Sequence, residues 1–181
     1  NDVRAATPEL AEAMRAEIAA AREEGDSVGG VVQCIADGLP MGLGEPFFDS
    51  VEGELAKMMF AVPGVKGIEF GAGFAAAGMR GSQHNDPFVL VDGKVRTAKN
   101  DAGGILGGIT NGMPVVLRVA IKPTASIARG QRSLDLETGE QTDLRIEGRH
   151  DPCIAPRAVP VVEAAAALVL ADLSVRGGML D

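Results

Sequence analysis

The sequence has 181 residues, 46% of them hydrophobic and 23% charged, which suits one soluble globular domain with a sizeable core. Lys plus Arg number 17 and Asp plus Glu 25, and the net charge of −8 argues against general nucleic-acid binding, which depends on neutralising phosphate. No apolar run approaches the ~20 residues of a membrane span, no cationic segment precedes an apolar stretch as in a signal peptide, and Cys34 and Cys153 make no disulfide framework, so the chain reads as intracellular.

Thr7-Pro8-Glu9 starts a first helix: a hydroxyl N-cap, Pro at the first helical position and an acid near the positive end of the dipole. Leu10, Met14, Ile18 and Ala21 form its inward stripe, and Gly25 ends it near residue 24. Residues 27–36 are β-branched and read as a strand, followed by a glycine-rich connection over 37–45. Asp49 opens a second helix with Glu52 in the capping-box position; Val51, Leu55, Met58, Met59 and Val62 face inward, and Pro63-Gly64 stops it. Residues 65–74 predict a strand and 75–87 a polar loop. Residues 88–91 and 94–97 flank Asp92-Gly93 as a hairpin.

A glycine-dense stretch covers 100–112, and 115–121 is a strong strand. Residues 122–132 read as a loop, and 134–136 with 142–146 flank Thr138-Gly139 as another hairpin. Residues 160–175 are almost entirely apolar and predict a helix buried between layers or in an oligomer interface. With 24 Gly, no Trp, no Tyr and six Phe, the core is made chiefly of aliphatic side chains, and glycines let backbones approach closely. Asn1 stands where an initiator Met is expected, as in a fragment or a processed product.

Three segments carry candidate chemistry. Gly103-Gly104-Ile105-Leu106-Gly107-Gly108 can turn backbone N–H groups toward phosphate, but the spacing is neither a Walker A loop nor GxGxxG; the competing reading is a tightly packed turn. Lys122-Pro123-Thr124-Ala125-Ser126 follows a strand directly, and its cation, hydroxyls and N–H groups suit an anion; an ordinary polar turn looks the same. Arg149-His150-Asp151-Pro152-Cys153-Ile154-Ala155-Pro156-Arg157 gathers two guanidiniums, an imidazole and a carboxylate, against the plainer reading of a solvated loop with an internal Arg–Asp pair. Two His and two Cys at these separations match no zinc site, and Cys153 reads as a small packed residue. The residues alone thus reach an α/β domain with an anion-binding edge.

Gly44-Glu45-Pro46, Val65-Lys66-Gly67-Ile68-Glu69, Gly81-Ser82-Gln83-His84-Asn85-Asp86, the glycine-dense segment, Lys122-Pro123-Thr124 and Arg149-His150-Asp151-Pro152-Cys153 follow in one order. That order resembles the chorismate synthase family, and the last stretch, continuing to Glu163-Ala164, resembles its C-terminal signature. The resemblance runs from about Ser27 onward and covers the C-terminal half of the family's chain, so that residues 1–181 correspond to that half. The family's Gly-Glu-Ser-His motif and its central Ser-Ala/Gly-Arg motif are absent, and with them the two histidines to which the family's acid chemistry is assigned; His84 and His150 do not replace them.

The resemblance implies an α+β fold, a β-α-β sandwich with helices layered between antiparallel sheets, assembled into a homotetramer. It implies a cytoplasmic carbon–oxygen lyase of the shikimate pathway and aromatic amino acid biosynthesis. The reaction is the anti-1,4 elimination of phosphate from 5-enolpyruvylshikimate 3-phosphate to give chorismate, without net redox change but requiring reduced FMN. The half carried here is expected to be inactive alone. By motif, Gly107, Lys122, Pro123, Thr124, Ala125, Ser126 and Arg149 correspond to flavin-binding positions. Arg149 also lies where the substrate's anionic groups meet the flavin, and Asp151 resembles a carboxylate near flavin N5 that relays a proton. Pro63 and Gly64 stand where the family often has Asn-Ala at a further flavin contact. The alternative is a non-catalytic flavin- or anion-binding module derived from the same half, without nucleic-acid or membrane partners.

Overall fold

The computed structural model describes residues 1–180. In chain order it has α1 (Pro8–Glu23), β1 (Gly30–Ala36), α2 (Val51–Ala61) and β2 (Val65–Phe70). A 3₁₀ turn (Gly73–Gly78) and the short α3 (Gly81–His84) follow, then β3 (Phe88–Val91), β4 (Lys94–Thr97), β5 (Ile105–Leu106), β6 (Ile109–Thr110) and β7 (Val115–Ile121). β8 (Gln131–Leu134), β9 (Gln141–Leu144) and α4 (Ala155–Arg176) complete the chain. The fold is α+β, with antiparallel pairing in β3–β4, β5–β6 and β8–β9. Two compact units share the chain: Asn1–Gly30 with Ile121–Val159, and Val31–Ala120 with the segment from Pro160 onward.

In the first unit, Thr7 caps α1 as its sequence predicts, its hydroxyl accepting from Leu10 N at 3.3 Å, and Gly25 leaves the helix at φ +66°. The buried face keeps Met14, Ile18 and Ala21 of the predicted stripe, with Ala11 in place of Leu10. Ala11 and Ala21 are buried, Met14 and Ile18 half-buried, and Leu10 is 53% exposed. Positions 11, 14, 18 and 21 keep helical spacing on one side, and Leu10 falls off its edge. The β8–β9 hairpin comes earlier than predicted. Asp135 accepts from Glu137 N (2.8 Å) and Thr138 N (3.2 Å), closing the turn at the residue that the pattern assigns to the strand.

The second unit is built on a three-stranded sheet in the order β1-β7-β2. β7 alternates strictly: Val115, Leu117, Val119 and Ile121 are buried, Val116, Arg118 and Ala120 half-buried. α2 packs against β2 and buries Val51, Leu55 and Met59. Its N-cap is Ser50, not Asp49: the Ser50 hydroxyl accepts from Gly53 N at 3.0 Å, which leaves Glu52 one position short of a capping box. Asp49 instead pairs with Arg176 at 2.7 Å. β2 stops at Phe70 rather than running to residue 74, because Gly71 and Gly73 turn the chain and Glu69 accepts from Phe74 N at 3.0 Å.

α4 begins at Ala155, before the predicted Pro160. Pro156 occupies the first turn without loss, whereas Pro160 lies inside the helix and removes one backbone donor. With the added turn the helix has 22 residues and is long and apolar enough to cross a membrane by length and composition, contrary to the sequence expectation that no run is. Its buried residues Ala158, Val162, Ala165, Val169 and Leu173 recur at intervals of three and four, the stripe of a helix packed on one side in a folded domain.

Candidate functional site

In the first unit, one short stretch of backbone, residues 25–29, holds two of the three candidate segments. Ser27 Oγ donates to Thr124 O at 2.7 Å, and Arg129 N donates to Gly25 O at 3.0 Å. Gly29 lies so close to the start of the 122–126 loop that an added Cβ would meet Ile121 O at 2.5 Å and Pro123 N at 3.2 Å. On the other segment, Val28 N donates to Pro152 O at 2.8 Å, and Cys153 Sγ faces Gly29 O at 3.8 Å. Segments separated by more than twenty residues are therefore tied to the same five-residue strip. Sequence patterning treats Ser27 and Gly29 only as strand residues, and no local signal reveals their role.

Lys122, Pro123, Ala125 and Ser126 are exposed, and Thr124 is half-buried. The Thr124 hydroxyl is shielded from solvent yet has no hydrogen-bond partner among the described residues. Arg149 is exposed. Among the described residues neither Lys122 nor Arg149 forms an ion pair, whereas Arg15, Lys99, Arg118, Arg129, Arg157 and Arg176 all do. Asp151 does pair, but with Arg157 at 2.8 Å rather than with Arg149. The internal Arg–Asp pair foreseen as the plain alternative therefore exists and leaves Arg149 out of it. His150 Nε2 lies 2.9 Å from Ile146 O, and its buried Nδ1 has no partner. A small pocket of about 180 Å³ opens there, lined by Arg22, Gly25, Asp26, Ala128, His150 and Pro152.

The glycine-dense segment belongs to the second unit. Gly107 (φ +62°) and Gly108 (φ +86°) form the two-residue turn of the β5–β6 hairpin, a conformation other residues adopt reluctantly. Gly108 is buried, accepts from Val51 N at 3.0 Å and has Ser50 against it. Gly107 is exposed, with open space where a side chain would project. The two readings of this segment therefore divide between its glycines: Gly108 packs, and Gly107 is open to an incoming group.

Asp86 braces the same segment. Its carboxylate is fully buried and accepts from Asp101 N (3.0 Å) and Ala102 N (2.8 Å), with Lys99 Nζ 3.2 Å away. Lys99 also reaches Asp101 and the His84 carbonyl. Burial by itself would raise the Asp86 pKa. The two N–H donors and the Lys99 ammonium outweigh it and hold the carboxyl below its ordinary value.

Within the first unit, Lys122 and Arg149, unpaired among the described residues, and the unpartnered Thr124 hydroxyl are donors of the kind that phosphate and carboxylate groups accept from. The fold is α+β, and the first unit presents these donors as a candidate anion site. The family model described as chorismate synthase matches residues 1–175, including α1, which the sequence resemblance leaves out. A chorismate synthase from Dehalococcoides mccartyi is 58% identical over 175 residues, 96% of this chain and 48% of that protein. One from Methanocella arvoryzae is 55% identical over 181 residues, 100% of this chain and 49% of that protein. A crystal structure of chorismate synthase superposes with a TM-score of 0.75 at 34% identity, covering 94% of this chain and 44% of that one. The chain belongs to the chorismate synthase family, and it spans about half the length of the curated relatives it matches.

Proposed function

We propose that this chain is the C-terminal half of a chorismate synthase, contributing to the elimination of phosphate from 5-enolpyruvylshikimate 3-phosphate in a cytoplasmic homotetramer that uses reduced FMN. The observation that carries this is the joining of 122–126 and 149–153 to one strip of backbone, with both Lys122 and Arg149 left unpaired among the described residues. Lys122, Thr124, Ser126 and Arg149 offer the donors that a flavin phosphate needs, so the residues present fit the group; Gly107 enters as a further flavin contact from the family motif alone. Reduced FMN, when bound, supplies an electron-rich surface that stabilises the ring as phosphate departs.

The chain's own contribution is binding and proton handling. Arg149 and Lys122 draw in and orient the substrate's phosphate and carboxylates. Asp151, steadied by Arg157, accepts or relays a proton at a carboxylate oxygen. The half by itself lacks the family's two catalytic histidines. An anaerobic assay with reduced FMN and substrate, following phosphate release, is expected to show no useful turnover by this chain alone. It is expected to show turnover once a relative's other half is supplied. Robust turnover by the 181-residue chain alone would overturn the assignment of roles.

A further inference from the structure

His150 stands between Arg149 and Asp151, and its ring has no part in the chemistry assigned to them. Its Nε2 lies 2.9 Å from Ile146 O. A carbonyl only accepts, so Nε2 carries the ring proton and donates. A proton on the buried Nδ1 would meet no acceptor, so that nitrogen is left bare. The bond closes a loop over residues 146–150, in which Gly148 supplies the reversal at φ +129°. Arg149 rides on this loop, exposed and next to the ring. On its far side, Val28 N donates to Pro152 O at 2.8 Å, and Arg157 engages Asp151 at 2.8 Å. The guanidinium is thus carried on backbone fixed at both ends, while it has no ionic partner of its own among the described residues.

We propose that His150 is a positioning residue, whose Nε2–H bond to Ile146 O locks the 146–150 loop so that Arg149 is presented to an anionic ligand; this rests on the reading of Arg149 as an anchor for flavin or substrate. Arg22, Gly25, Asp26, Ala128 and Pro152 line the space beside the ring, and among the described residues none of them bonds it. Asp26 is the carboxylate there, but it accepts from Ser27 N (2.8 Å) and from Arg129 (3.1 Å), so no ion pair draws the ring away from Ile146. Without the bond, an exposed glycine-containing loop samples many arrangements, and a ligand must select the competent one at a cost in affinity. The competing role is packing alone, in which the ring fills space beside the end of α1. The two roles differ in what matters about the side chain: its donor or its volume.

The test separates donor from volume in an enzyme reconstituted from this chain and the other half of the Dehalococcoides mccartyi relative, titrated with FMN and, separately, with 5-enolpyruvylshikimate 3-phosphate. His150→Phe keeps a ring and loses the donor; it should weaken the ligand that Arg149 holds by about 5- to 10-fold, the loss of one hydrogen bond. His150→Gln loses the ring but places an amide N–H near the Nε2 position, and it should stay within about 2-fold of the unaltered enzyme. In an Arg149→Ala background, His150→Phe should change binding by less than about 2-fold, because nothing is left to position. Ring-nitrogen NMR spectra of the 181-residue chain should show Nε2 protonated and Nδ1 bare. Should His150→Phe fail to fold by circular dichroism, His150→Asn, whose amide stops short of the carbonyl, takes its place. Equal losses in His150→Phe and His150→Gln, additive losses with Arg149→Ala, or a ring proton on Nδ1 alone would each overturn the proposal. An unaltered enzyme that binds neither ligand would overturn the family reading and the proposal together; one that binds them and is indifferent to His150→Phe would overturn the proposal alone.

Discussion

The loops at 122–126 and 149–151 and the segment at 86–112 look alike in composition, since each mixes charged residues with glycine or proline. Their polar groups are used differently. Around Asp86 the charges are consumed internally: the carboxylate, Lys99, Asp101 and two backbone N–H groups satisfy one another and fix a turn. Around Thr124 and Arg149 the backbone is fixed by Ser27, Val28 and Gly25, and the side-chain cations are left over. Charge density alone therefore does not tell the two apart: one set of charges is satisfied internally, and the other is left without ionic partners among the described residues.

The largest effect is expected at the group given a chemical role. In an enzyme reconstituted from both halves, Asp151→Asn should lower turnover by about 10²–10⁴, with flavin affinity little changed. Unchanged turnover in a folded variant would return Asp151 to a purely structural pairing with Arg157. The scaffold comes next. Leu117→Ala, in the buried face of β7, should cost about 2–5 kcal/mol by urea unfolding. Leu136→Ala, on the exposed turn, should stay within about 0.5 kcal/mol.

A sharper contrast comes from the leftover cations. Arg149→Ala and Lys122→Ala should each weaken FMN or substrate binding by about 10- to 150-fold, corresponding to about 1.5–3 kcal/mol for a charge-assisted contact. Arg149→Ala should lose more, because a guanidinium makes two directed bonds. Melting temperatures should hardly move, since neither cation has an ionic partner among the described residues. A fall in stability without a fall in affinity would put both residues with the braces.

A smaller loss than those at the core or the cations concerns the brace and shows as pH dependence. The Asp86 carboxyl lies below its ordinary value of 3.8 in the folded chain, so its stabilisation is complete above that pH. It is lost as pH falls through the lower folded value. Asp86→Asn should cost about 1 kcal/mol at neutral pH and flatten the acid limb of a stability–pH curve. An acid limb identical to that of the unaltered chain would show that other carboxylates govern it.

What the sequence makes legible here is local. Thr7 before Pro8, the alternation of β7 and the Asp92-Gly93 turn each act over a few residues, and all three are found where the pattern puts them. Boundaries that depend on competing local signals move. Thr138-Gly139 stays in the β8–β9 turn, but Asp135 bonds into that turn and ends β8 at Leu134; Pro160, a good helix opener, lies inside α4 because Pro156 opens it earlier. Of the site, the candidate segments are legible but their meeting is not. Ser27 reaches Thr124 across 97 residues, and Cys153 faces Gly29 across 124. The Asp86 brace spans fifteen residues and leaves no periodic trace, so the motif containing it reads only as a polar loop.

The two units interleave along the chain, which crosses from one to the other at residues 30–31, 120–121 and 159–160. These crossings fall within β1, β7 and α4 rather than in linkers. A gene rearrangement that exchanged one unit for a foreign copy would need three junctions at once, each inside a hydrogen-bonded element. Single crossovers would instead produce hybrids of both units, so this half is expected to pass through evolution as one indivisible block.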